Sequence, residues 1–257
     1  MMKEETVELT QEQKQHFIAD GYVQVPGVVP APLVNAALRA INHSLGEGMD
    51  PAEMTRFRAQ SYCPELQRAP VITDLLNATP ALALAESLIG PGKVAPVSGG
   101  QIALRFPTMH ESPPAPHPHL DGMHTPTNGV PAGEIRSFTM LLGVMLSDVS
   151  GPFAGNLAVW PGTHRIYEAY FREHGPQALL EGMPRVAIPE PVQLTGRAGD
   201  VVLAHYELAH GVTANVSPHV RYAIYFRLHH VAHAGQKWDA MTDIWLEWDG
   251  VRSLIGR

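Results

Sequence analysis

A chain of 257 residues, 45% hydrophobic and 17% charged, carries enough apolar side chain to bury a sizeable core, which excludes global disorder. Eighteen Lys and Arg against 25 Asp and Glu give a formal charge of -7, so the basic footprint of a nucleic-acid or anionic-membrane binder is absent. The single cysteine, Cys63, rules out an intramolecular disulfide and a metal-binding cysteine cluster, and reads as a small buried or half-buried residue.

In chain order, Met1-Met2-Lys3-Glu4-Glu5 is acidic where a signal peptide needs a basic start, and this points to a cytoplasmic protein. Thr10 is a good N-cap for a helix over 11–19 that Gly21 stops, and Tyr22 to Val25 alternates as a short strand. After Pro30, Leu33, Val34, Ala37, Leu38, Ile41 and Leu45 share one helical face. Two further helices are predicted over 71–76 and 80–89, the second with Thr79 as cap and Pro80 at its first position. Past Gly90 the texture changes to short β-type runs at 93–97, 101–106, 137–146, 156–160, 192–194, 201–205 and 222–228. Turn residues such as Gly99-Gly100, Pro113-Pro114 and Gly199-Asp200 separate many of them. The run Met140 to Leu146 is the longest apolar stretch and is too short to span a bilayer. Residues 163–183 read as a helical insertion and 237–248 as a C-terminal helix. The pattern predicts one domain, mainly β with flanking helices: N-terminal helices over 10–90 buttress a double-sheet barrel over 93–230.

Chemistry concentrates in two places. Pro116-His117-Pro118-His119-Leu120-Asp121-Gly122 contains an H-x-D, and in an extended segment residues two apart project from one face. His119 and Asp121 can therefore offer a nitrogen and an oxygen to one ion, with His210 in Tyr206-Glu207-Leu208-Ala209-His210-Gly211 as a distant third ligand. Two histidines and a carboxylate on one octahedral face suit non-haem Fe(II) and leave three positions open. Arg221 follows His210 by eleven residues, where a hairpin would bring its planar fork back to pair with a carboxylate. The bland alternative is that Arg221 faces solvent at a strand's start.

These residues resemble the phytanoyl-CoA dioxygenase family of Fe(II)/2-oxoglutarate oxygenases. Phe17-Ile18-Ala19-Asp20-Gly21-Tyr22 is similar to the family's F-x-x-D-G-Y/F opening, Gly155 to His164 to its N-G-x-L-x-x-x-P-G-S-H stretch, and Gly199-Asp200 to its G-D. Ala154 and Thr163 depart from the middle block, where asparagine and serine are usual. The resemblance implies a double-stranded β-helix (a jelly-roll barrel) holding Fe(II) through His119, Asp121 and His210. It implies Arg221 as the clamp on the distal carboxylate of 2-oxoglutarate, with Thr213 adding a hydroxyl there. Gln101 and Arg105 are assigned to the other end of 2-oxoglutarate or to the substrate. It also implies the reaction: O2 and 2-oxoglutarate give succinate and CO2 while a small-molecule C–H bond is oxidised. Asp121 favours hydroxylation, because related halogenases carry a small residue at that position.

Other readings stay open on sequence grounds. His117 and His119 could pair in a cupin-like metal hydrolase or isomerase, or the barrel could be a silent binding module. His124, His164 and His205 read as packing or supporting residues, His229, His230 and His233 as surface, and Trp160 as core. Arg105, Arg136 and Arg227 could together make a local basic mouth.

Overall fold

The computed structural model describes residues 7–109 and 111–256; the acidic start, Met1 to Glu5, lies outside them. Helix α1 (Gln11–Asp20) opens with the Thr10 hydroxyl accepting from the Gln13 N–H while the Gln13 side chain accepts from the Thr10 N–H, and Gly21 closes it at φ +82°. Strand β1 (Tyr22–Val25) follows, then α2 (Ala31–Gly46). A short helix α3 (Met54–Ala59) comes next, followed by α4 (Pro70–Asn77) and α5 (Ala81–Ile89). Sequence reasoning missed α3. Thr79 does accept from the Ala81 N–H at 3.2 Å, although the helix starts one residue later than predicted.

The remaining strands are β2 (Gln101–Arg105), β3 (Met140–Met145), β4 (Leu157–Val159), β5 (Val192–Gln193), β6 (Val201–His205), β7 (His210–Val212) and β8 (Arg221–Leu228). They form two antiparallel sheets, one ordered β1-β6-β3-β8-β2 and one β5-β4-β7. The sheets face each other across shared apolar side chains, which is the jelly-roll barrel expected. The 93–97 run contributes only an isolated bridge, Val94 to His230.

Strand β3 explains how the layers are held. Met140, Leu142 and Val144 point into an apolar core shared with α1, α2, α4 and α5. Leu141 and Met145 point the other way, into the space between the sheets. Both faces are buried, so the run is continuously hydrophobic instead of alternating.

Helix α6 (Thr163–His174) and a 3-10 stretch, Pro176–Glu181, form the predicted insertion. The C-terminal region departs from expectation. In place of a helix over 237–248, α7 (His233–Gln236), a 3-10 turn at Asp239–Met241 and α8 (Asp249–Arg252) are separated by irregular chain. Two large rings explain this: Trp245 and Trp248 both pack on Phe17 of α1, and Trp248 stacks on His205 at 5.0 Å. Side-chain burial of that size outweighs the modest propensity gain of a continuous helix. No helix among the described residues is long and apolar enough to cross a membrane.

Candidate active site

His119 sits in the long connection between β2 and β3 and forms an isolated bridge with His210, the first residue of β7. Their backbones exchange two hydrogen bonds, at 2.9 and 3.1 Å, which places the two imidazoles side by side with centroids 4.6 Å apart. Asp121, two residues on, turns its Oδ1 to within 3.4 Å of His119 Nε2 and 3.6 Å of His210 Nε2. All three ligand atoms lie within 4.8 Å of one another. His210 Nδ1 is 3.0 Å from the Leu208 carbonyl, which can only accept, so Nδ1 carries the proton and Nε2 presents a lone pair to the cluster.

Asp121 is held in place from behind. Arg227 of β8 donates from Nε at 3.0 Å and Nη2 at 2.6 Å to Oδ2, and the Tyr206 hydroxyl donates to the Asp121 carbonyl at 3.2 Å. Burial alone would raise the Asp121 carboxyl pKa, but the Arg227 guanidinium, with the two imidazoles beside it, outweighs burial and holds it well below the usual range. Gly122 then turns the chain at φ +82°, where a side chain would meet the Arg136 carbonyl oxygen at 2.2 Å.

These residues open onto a cavity of about 400 Å³ between the sheets. Gln101, Ala103 and Arg105, alternate residues of β2, line it, and so do Arg221, Tyr225 and Arg227 of β8. The sequence expectations therefore converge here, with corrections. Arg221 arrives by a crossover from the small sheet to the large one, not by a hairpin: β7 pairs with β4, and β8 with β3 and β2. It is buried, donating from Nε to the Gly155 carbonyl at 2.7 Å and from Nη1 to the Ala103 carbonyl at 3.0 Å. The solvent-facing alternative is thereby removed.

Thr213 does not line the cavity. It is buried with its hydroxyl accepting from the Asn156 N–H at 2.9 Å, so this geometry does not support its proposed role toward the distal carboxylate. The basic mouth also changes membership. Arg227 is paired with Asp121 and Arg136 faces Glu134 at 3.7 Å, whereas Arg105 has no carboxylate partner among the described residues. Arg58 of α3, which sequence reasoning passed over, takes a place at the cavity instead.

The other histidines divide. His117 and His124 are exposed and outside the three-residue cluster, although His124 lines the cavity. His205 and His164 are buried packing residues; burial lowers His205 to about 4 and pushes His164 well down. His229 is exposed as expected, but His230 and His233 are buried. His233 Nδ1 lies 2.9 Å from a Glu247 carboxylate oxygen, and Glu247 also accepts from Thr139, so an internal hydrogen-bonded pair explains a position that looked superficial. Trp160 and Cys63 are buried, as read.

The motif blocks are scaffolding for this arrangement. A side chain at Gly21 would come within 2.6 Å of His164 Nδ1, and the Gly162 N–H donates to the Asp20 carbonyl at 2.9 Å, so the opening block and the middle block are neighbours. Asp200 accepts at both oxygens, from the Gly27 and Arg197 N–H groups at 2.8 Å each, tying the turn before β6.

The family described as Phytanoyl-CoA dioxygenase (PhyH) matches residues 17–223. The chain belongs to the phytanoyl-CoA dioxygenase family. No curated protein matches it significantly. Solved structures share its fold at low identity. HygX from Streptomyces hygroscopicus, with nickel and 2-oxoglutarate bound, is 19% identical with a TM-score of 0.58, covering 88% of each chain. The carbocyclase SnoK from nogalamycin biosynthesis is 21% identical with a TM-score of 0.53, over 89% of this chain and 90% of that one. EctD from S. alaskensis in its apoform is 19% identical with a TM-score of 0.55, over 87% and 78%. The family's dioxygenase chemistry fits the donor set of this cavity, two imidazole nitrogens and one carboxylate oxygen.

Proposed function

We propose that this chain is, over its whole length, one Fe(II)- and 2-oxoglutarate-dependent oxygenase domain that oxidises a C–H bond of a small molecule. The observation that carries the reading is the pairing of a two-histidine, one-carboxylate cluster with a buried arginine on one cavity wall. Such a donor set suits Fe(II) and leaves coordination positions for a bidentate co-substrate and O2. HygX, on the same fold, was solved with iron and with nickel and 2-oxoglutarate, which supports the same pair of groups here.

His119, Asp121 and His210 would hold the iron. Bound there with 2-oxoglutarate and O2, it supplies the oxidative decarboxylation to succinate and CO2 and the oxidising power for the C–H bond. The chain's own work is placement. Arg227 fixes which Asp121 oxygen faces the cluster, and the Leu208 carbonyl fixes the His210 tautomer. Arg221 is locked by two backbone carbonyls, which leaves Nη2 without a partner among the described residues and ready for the distal carboxylate of 2-oxoglutarate. Gln101 lines the same cavity and would reach 2-oxoglutarate or the substrate. Asp121 keeps a carboxylate in the coordination sphere, which favours hydroxylation over halogen transfer.

Anaerobic Fe(II) titration in the presence of 2-oxoglutarate tests this. The weak visible charge-transfer band of the chelate appears with wild type and is lost in Arg221→Ala and in His210→Ala. Iron bound normally with no band in wild type would mean the metal serves another reaction.

A further inference from the structure

Three arginines face this cavity without a carboxylate partner among the described residues: Arg58, Arg105 and Arg221. Arg105 and Arg221 are register partners on β2 and β8, and a side chain at Gly155 would touch the Cβ atoms of both, at 2.8 and 3.2 Å. Arg105 is half-buried and lies close enough to both other arginines for their charges to disfavour its own. Among the described residues its guanidinium makes one hydrogen bond, from Nη1 to its neighbour's carbonyl, that of Leu104, at 3.2 Å. Like charges gathered in a half-buried cavity are unfavourable unless an anion offsets them.

The loaded site does not supply enough negative charge. On the oxygenase reading, the two charges of iron cancel the two of 2-oxoglutarate. Asp121, the one acidic residue lining the cavity among the described residues, is matched by Arg227. The arginine trio remains uncompensated. Arg221 has a ligand in the distal carboxylate, but Arg105 and Arg58 have none. Both line the cavity, Arg58 exposed on α3 and Arg105 half-buried on β2.

We propose that Arg105 and Arg58 form an anion subsite, separate from the 2-oxoglutarate clamp, so that the substrate is a small molecule bearing a carboxylate or phosphate group. The substrate enters with that group held at the arginine pair and its apolar portion directed inward. Leu120, Met123, Leu141, Leu157 and Met183 line the same cavity and supply apolar wall for that portion. Arg105's fork suits bidentate recognition of either oxyanion, and Arg58 adds a charge that is not pre-engaged. This rests on the oxygenase reading for the position of the metal and of 2-oxoglutarate.

The test uses the full chain loaded anaerobically with Fe(II), with and without saturating 2-oxoglutarate, titrated calorimetrically with inorganic phosphate and separately with acetate. At least one of the two anions is expected to bind while 2-oxoglutarate is present, and its affinity to fall about tenfold or more in Arg105→Gln and in Arg58→Gln. The 2-oxoglutarate affinity of Arg58→Gln is expected to stay at the wild-type value. Anion binding that disappears when 2-oxoglutarate is added would place the anion on Arg221 and overturn the proposal. So would anion binding unchanged in both variants, no binding of either anion, or loss of 2-oxoglutarate binding in Arg105→Gln with anion binding intact. Failure of wild type to bind 2-oxoglutarate at all is a separate result: it removes the oxygenase reading, and with it the placement on which this subsite depends.

Discussion

Arg227 of β8 and Asp121, 106 residues apart in sequence, meet through a single carboxylate oxygen, Oδ2, which accepts from both Nε and Nη2. The other oxygen, Oδ1, is thereby left to the two histidines. This division of labour is stricter than an ordinary ion pair, because it selects a rotamer as well as a charge state.

Arg227→Gln should therefore weaken Fe(II) binding by about 10- to 100-fold without unfolding the protein. Arg227→Lys should restore charge but not the two-nitrogen grip, and recover only part of the affinity. Anaerobic Fe(II) titration followed by calorimetry reads both. Wild-type affinity in Arg227→Gln would show that the backbone alone positions Asp121.

His205 gives a pH dependence with a definite sign. Burial lowers its pKa to about 4 in the folded chain, whereas an unfolded histidine titrates near ~6.5. Between these values the unfolded state binds the proton and the folded state does not, so stability falls as pH drops below about 6.5 and levels off near 4. The loss between pH 7 and pH 5 is on the order of 2 kcal/mol. Urea unfolding at the two pH values, in wild type and His205→Gln, isolates it: the variant should lose less stability over that interval. Equal losses would mean that His205 takes up its proton in the folded state as readily as in the unfolded one.

Thr213→Val separates the two roles considered for that residue. The buried hydroxyl accepts from the Asn156 N–H, so its removal leaves a buried donor unpaired at about 1–3 kcal/mol. Thermal unfolding should register this cost. The affinity for 2-oxoglutarate should stay at the wild-type value, and a large loss there would return Thr213 to the cavity.

These cases show what the sequence discloses. The start and stop of α1 are legible because Thr10, Gln13 and Gly21 act on backbone groups within a few residues of themselves. His119 and Asp121 are legible as a pair for the same local reason, the two-residue alternation of extended chain. Arg227 is not, since nothing near residue 227 says that a carboxylate 106 positions earlier will lie opposite it. The role implied for Thr213 came with the family resemblance, and its place three residues after His210 does not say which polar neighbour, here Asn156, reaches the hydroxyl. The tail over 237–248 was misread because its tryptophans are placed by Phe17 and His205, far upstream. Arg58 escaped notice because α3 is short and its role depends on a cavity wall assembled from β2 and β8.

Strand β8 carries Arg221, Tyr225 and Arg227 on its cavity side, while Ile224, Phe226 and Leu228 anchor the opposite side in the helical core. A slip of one residue against β2 or β3 would turn all three cavity residues outward together and push the apolar ones inward. The cavity-facing Arg221, Tyr225 and Arg227 are thus inherited as one linkage group, set by a single ladder. Substitutions on that ladder can retune the enzyme one position at a time, but an insertion or deletion within it is an all-or-nothing event.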